Sequence, residues 1–163
     1  MVPIGIFAGA LTKVLYQKFA ENIAQHKPIL PIFKSLTTKL FFAALPCFIL
    51  LFLFASPLIE FLLSDEWSRS AVYFQIILPW MLIYFAVSPF DFIPNLFSKQ
   101  KKAFLFDIAY CLLSLTGLII GILWNNFTGA IILFSIAGGI YFLFLFFWYL
   151  RMLLKYEKSL IAK

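Results

Sequence analysis

Four almost uncharged stretches, residues 40–63, 71–90, 103–124 and 127–150, constrain this chain more than any motif it contains. Each reaches or exceeds the ~20 apolar residues that a helix needs to cross a ~30 Å hydrocarbon layer. The chain is 64% hydrophobic and 12% charged, against about 45–50% apolar and about 25% charged in an ordinary globular domain. A water-soluble fold of this length has nowhere to hide so much apolar surface. Inside lipid the backbone must satisfy its own hydrogen bonds, which leaves helices or closed barrels. Continuous apolar runs without strict alternation select helices.

The net charge of +6 invites a nucleic-acid reading, and the placement of the lysines defeats it. Lys13, Lys18, Lys27, Lys34 and Lys39 precede the first span. Lys99, Lys101 and Lys102 lie between the second and third, and Arg151, Lys155, Lys158 and Lys163 follow the fourth. The other two connections hold only Arg69, beside Asp65 and Glu66, and then nothing basic at Asn125–Asn126. By the positive-inside rule the basic segments and both termini are cytoplasmic. The expected contact of these lysines is anionic lipid rather than a polymer. Within this frame residues 1–39 form a helix end and a cytoplasmic interfacial segment, 40–151 the four-helix transmembrane region, and 152–163 a cytoplasmic tail.

Residues 2–11 are apolar over only half a span, with Gly5 and Gly9 spaced for close helix approach. The run reads as the end of a helix whose earlier part is missing. The apolar start has no basic residue before it, so it is not a signal peptide. In residues 14–39, Leu15, Phe19 and Ile23 recur every four positions, which predicts an amphipathic interfacial helix broken by Pro28 and Pro31. Pro46 and Pro57 in the first span, and Pro79 and Pro89 in the second, predict kinks. Gly117, Gly121 and the Gly138–Gly139 pair predict close helix seams. Phe104, Phe106, Trp124, Phe127, Trp148 and Tyr149 sit where interfacial aromatics collect. The uniformly apolar run 141–147 predicts a lipid-facing side of the fourth helix.

Polar groups are scarce. Gln75 and Tyr84 flank Pro79–Trp80, and these four residues are the candidate substrate pathway. Asp91, Lys99, Lys101, Lys102 and Asp107 form a charged cytoplasmic loop, with Asp107 expected in the first turn of its helix near Lys101 and Lys102. Glu60 lies near a span end. Cys47 and Cys111 read as small apolar side chains, and His26 as a solvated interfacial one. Asn126-Phe127-Thr128 is a formal glycosylation sequon, disregarded because it abuts the membrane. No nucleophile–histidine pair, metal-ligand spacing or glycine-rich phosphate loop is present. The chain reads as a non-enzyme with no cofactor and no metal.

Asp65-Glu66-Trp67, then Leu78-Pro79-Trp80, Ser88-Pro89 and Ser98-Lys99-Gln100-Lys101, resembles the C-terminal part of the polysaccharide-biosynthesis flippases. Val14-Leu15-Tyr16-Gln17-Lys18-Phe19-Ala20-Glu21 is similar to that family's cytoplasmic segment after its eighth helix. The resemblance covers nearly all of this chain and about the last third of a complete member. It implies the multidrug/oligosaccharidyl-lipid/polysaccharide superfamily: twelve helices in two lobes around a cavity, alternating access between the two faces. The implied substrate is undecaprenyl-diphosphate-linked oligosaccharide, moved across the bacterial inner membrane for surface polysaccharide or lipopolysaccharide synthesis. With the first lobe absent, the chain alone is expected not to transport. The alternative is a small four-span structural or accessory protein of envelope assembly.

Overall fold

In a computed structural model, which describes residues 3–161, every regular element is helical: α1 (Pro3–Ala24), α2 (Leu30–Leu53), α3 (Ala55–Leu63), α4 (Ser68–Val87), α5 (Ile93–Leu96), α6 (Gln100–Leu123) and α7 (Phe127–Ile161). Single 3₁₀ turns at Asp65–Trp67 and Ser88–Phe90 precede and follow α4. Among the described residues no strand forms, and four helical stretches are long and apolar enough to cross a membrane. The side chains of residues 3–11, 65 and 161 lie outside the description, so the expected contacts of Gly5 and Gly9 do too.

The spans lie side by side in the order α2, α4, α7, α6, with α3 continuing α2 along α4. The buried share of the apolar window is 44% for the stretch Ser68–Leu96, which is α4 continued through α5, and 33% for α7, against 11% for α2 and 6% for α6. α4 and α7 are therefore the central pair. The outer faces of α2 and α6 carry exposed Phe42, Leu53, Leu105 and Leu123, which suits a hydrocarbon solvent and no other.

Glycine sets the closest approach. At Gly121 in α6 a Cβ would lie 2.3 Å from the Ala130 Cβ and 2.4 Å from its Cα in α7. A Cβ at Gly117 would meet Leu133 at 3.2 Å, and one at Gly138 would meet the Trp80 ring at 2.9 Å. The seams expected from these glycines are real, while Gly139 has ordinary room, 3.7 Å from the Trp80 Cβ.

The main apolar core lies at the lysine-rich end. Leu15 and Phe19 from α1, Ile29, Leu30 and Phe33 at the start of α2, Val87, Phe90, Phe92 and Ile93 after α4, and Leu145, Tyr149 and Leu153 from α7 close on one another. The rings of Phe33 and Phe90 are 4.8 Å apart, those of Phe19 and Phe92 5.4 Å. The four-residue spacing in α1 thus marks a genuine apolar face, but the face packs on protein instead of lying on lipid.

Element boundaries differ from the sequence expectation for identifiable reasons. The apolar run at the start and the amphipathic segment form one helix, ending where His26 takes φ 54°. There His26 N–H donates to the Ile23 carbonyl (3.1 Å) and Lys27 N–H to the Asn22 carbonyl (2.8 Å), the paired bonds of a Schellman cap. Pro31 does not break a helix; it occupies the first turn of α2, where a missing N–H costs nothing. The first span therefore starts ten residues early, taking in Lys34 and Lys39. It divides at Phe54, where Pro57 in the first turn of α3 has no N–H to return to the preceding turn. The segment expected as a tail is the last part of α7, 35 residues long and therefore about 52 Å at ~1.5 Å per residue, well beyond a ~30 Å layer.

The run 141–147 also departs from a purely lipid-facing assignment. Tyr141 and Phe142 pack on α4 and α6, and Leu145 is buried, while Leu143, Phe144 and Phe147 stay exposed. Tyr149, expected at the interface, is buried in the core. A run that is apolar on every side reports no facing, because the helix turns each residue to a different neighbour.

Candidate functional site

The middle of α4 is where helix irregularity and polar side chains meet. Pro79 lacks the N–H that would bond the Gln75 carbonyl one turn earlier. One residue on, the Ser135 hydroxyl of α7 donates to the Ile76 carbonyl at 2.6 Å. On the other flank the Gln75 side-chain amide donates to the Phe52 carbonyl at 2.8 Å, just before the α2–α3 break. Both bonds reach carbonyls beside the breaks rather than the Gln75 carbonyl that Pro79 frees, and each joins a polar side chain to a neighbouring helix, as hydrocarbon surroundings favour. α4 is consequently tied to both of its neighbours at its own weakest turn.

Trp80 faces α7. Its ring stacks on Phe142 (5.8 Å between centroids, 4° between planes), meets Phe134 edge-on at 5.9 Å and covers Gly138. Its Nε1 is buried with no acceptor within hydrogen-bond distance. Tyr84, one turn along, meets the same Phe142 ring at 4.9 Å. A gap of about 320 Å³ between α4 and α7 is bordered by Pro79, Trp80, Ser135 and Gly139. A smaller one of about 190 Å³ lies between α2 and α4, again touching Pro79. Of the four residues predicted for a pathway, Trp80 and Tyr84 share the α7 side, Gln75 turns to α2, and Pro79 borders both.

The charged loop divides in the same way. Asp91 is exposed directly after the 3₁₀ turn, its N–H donating to the Ser88 carbonyl at 3.2 Å. Lys101 and Lys102 are exposed in the first turn of α6. Lys99 precedes that helix and borders a groove of about 320 Å³ with Lys155 and Tyr156 of α7. Asp107 is not in the first turn: α6 starts at Gln100, three residues earlier than the apolar pattern suggested. Its partner is the Tyr141 hydroxyl of α7, and Tyr141 stacks on Tyr110 at 4.3 Å. A carboxylate beyond the reach of the helix end has found a phenol instead of lysine.

Sequence reasoning missed three positioning residues, of which only Asn126 carried a local signal. Asn126, set aside as a sequon, caps α7: its Oδ1 accepts the Gly129 N–H at 2.8 Å. An asparagine three residues before a glycine in a new apolar run is the available sign. Glu157 Oε1 accepts the Leu30 N–H at 3.1 Å, binding the end of α7 to the start of α2. A contact across 127 positions leaves no local pattern. Ser135 is one serine among several, and nothing nearby in sequence marks it as the partner of Ile76. Among the described residues no three of His, Cys, Asp or Glu gather in one place.

Long apolar helices, glycine seams and polar side chains bonded to backbone carbonyls of neighbouring helices define a polytopic helical membrane protein. Residues 1–72 match the family model described as "Polysaccharide biosynthesis protein", which covers α1 to α3 and the start of α4 and supports a place for the chain in polysaccharide biosynthesis. No curated protein and no solved structure matches the chain.

Proposed function

We propose that this chain is the C-terminal part of a transporter that flips undecaprenyl-diphosphate-linked oligosaccharide across the bacterial inner membrane, with both termini in the cytoplasm. The observation that carries the reading is the polysaccharide-biosynthesis match over residues 1–72 running directly into apolar spans. A membrane helix bundle working in polysaccharide synthesis has one step that needs no bond-making group: carrying the lipid-linked intermediate across. The interrupted α4, tied through Gln75 and Ser135 to helices on either side, suits a part that changes its bend between two states. The broad exposed faces of α2 and α6 suit contact with lipid and with the rest of a larger transporter.

The test is genetic and quantitative. In a bacterial strain lacking its cognate flippase, the complete transporter containing this region should restore surface polysaccharide, and the present chain alone should not. Full restoration by the chain alone would overturn its reading as one part of a two-lobed transporter. Failure of the complete transporter, at normal membrane abundance, would overturn the flippase.

A further inference from the structure

A cavity of about 460 Å³ lies away from the α4 site, at the lysine-rich end between α2, α4 and α7. That is within the ~300–1,000 Å³ of small-molecule sites. Its walls are ordered by depth. Along α2 the lining passes from Lys34 through Thr37 to Phe41, a rise of about 10 Å at ~1.5 Å per residue. α4 and α7 run the opposite way, so Val87 and Leu150 stand beside Lys34 while Ile83 and Leu143 stand beside Phe41. The gradient from a cation through hydroxyl groups to aromatic rings runs along α2, and it faces walls from α4 and α7 that are apolar at every level.

Two polar observations point to an occupant. Among the described residues Lys34 has no carboxylate partner and is exposed at the mouth. Thr37 is 8% exposed, and its hydroxyl is buried with no hydrogen-bond partner. A buried hydroxyl left unpaired is costly, and since Thr37 borders the groove, rotation about its Cα–Cβ bond is the move that presents the hydroxyl to an acceptor there. Thr38, in the same wall, adds a second hydroxyl.

We propose that this groove binds one anionic phospholipid: its phosphate on Lys34, its glycerol ester carbonyls against Thr37 and Thr38, and an acyl chain along Phe41, Ile83 and Leu143. Charge, hydrogen-bond donors and hydrocarbon follow one another in the lipid in the order found down the groove. The bound lipid fills the space between α2 and the central helix pair, joining an otherwise sparsely packed span to the bundle. The proposal requires only that the chain be in a membrane; it does not depend on the substrate transported.

Native mass spectrometry of the whole chain, released from detergent with phosphatidylglycerol, phosphatidylethanolamine or a polyisoprenyl phosphate, reads the site directly. One phosphatidylglycerol per chain should be retained in preference to the other two. Lys34→Ala should weaken retention about five-fold, the effect of removing one interfacial lysine from an anionic lipid, and Lys39→Ala, outside the groove, should leave it unchanged. Thr38→Trp, which fills the groove without touching the charge, should abolish retention, and full retention in that variant would overturn the groove as the site. Circular dichroism and gel filtration confirm that each variant keeps its fold. Equal losses in Lys34→Ala and Lys39→Ala would reduce the site to general surface charge and overturn the proposal. Preference for phosphatidylethanolamine or the isoprenyl lipid, or a lipid-free dimer closed over the groove, would overturn it equally.

Discussion

His26, Ser98 and Asn125 each close a helix with a positive φ, 54°, 52° and 50° respectively, in the region that suits glycine. All three make the same pair of bonds. Ser98 N–H reaches the Asn95 carbonyl and Lys99 N–H that of Pro94; Asn125 N–H reaches the Ile122 carbonyl and Asn126 N–H that of Gly121. An L-residue other than Asn or Asp in this conformation costs roughly 1–2 kcal/mol, so His26→Gly should raise stability by about 1 kcal/mol, read as a higher midpoint in thermal unfolding in detergent. A side chain doing unseen work at His26 would instead make that variant less stable. Asn126 caps α7 from the next position. Asn126→Ala should cost about 1 kcal/mol and Asn126→Asp very little, by the same measurement. Those caps were within reach of a sequence reading at Asn125–Asn126, where two turn residues separate two apolar runs. They were not at His26, because nothing about a lone histidine announces a left-handed backbone.

At the scale of the helix, the tightest contact is the α6–α7 seam. Gly121→Ala puts a methyl group against Ala130 backbone and should destabilise by about 1–3 kcal/mol. Gly138→Ala presses on a tryptophan ring and should cost less, and Gly139→Ala should be neutral. Membrane abundance and thermal midpoint of the three variants should fall in that order; an equal response at Gly121 and Gly139 would contradict the seam. Pro79 belongs to the same scale. In the complete transporter, Pro79→Ala restores the N–H that can bond the Gln75 carbonyl and straightens α4. Transport should drop several-fold while abundance stays near normal. Unchanged flux at equal abundance would remove the bend from the mechanism, and a parallel fall in abundance would make it a packing feature. The glycine seams and the proline kink could be read in advance because glycine and proline act through the backbone at their own position. The first-span boundary could not: Pro31 as a helix starter and Pro31 as a breaker are the same residue until it is known whether a helix ends before it or begins at it.

For the molecule as a whole, the number of spans and their helical character follow from apolar run length, which is a property of the lipid thickness and needs no tertiary knowledge. What α1, Glu157 and the end of α7 do was hidden in the chain, since each acts on a partner more than fifty residues away. The same holds for the candidate site: Pro79 and Trp80 were visible, but Ser135 and the divergence of Gln75 from Trp80 exist only once α2, α4 and α7 are side by side. The central claim is that this side-by-side layer crosses a membrane with its lysine-rich end in the cytoplasm. Replacing Cys47 and Cys111, both free and exposed, gives a cysteine-free background for single cysteines at Trp67, Trp124, Lys101 and Lys155. In intact cells an impermeant thiol reagent should label positions 67 and 124 and should reach 101 and 155 only after the membrane is opened. Labelling at 101 and 155 in intact cells, with 67 and 124 protected, would contradict the account.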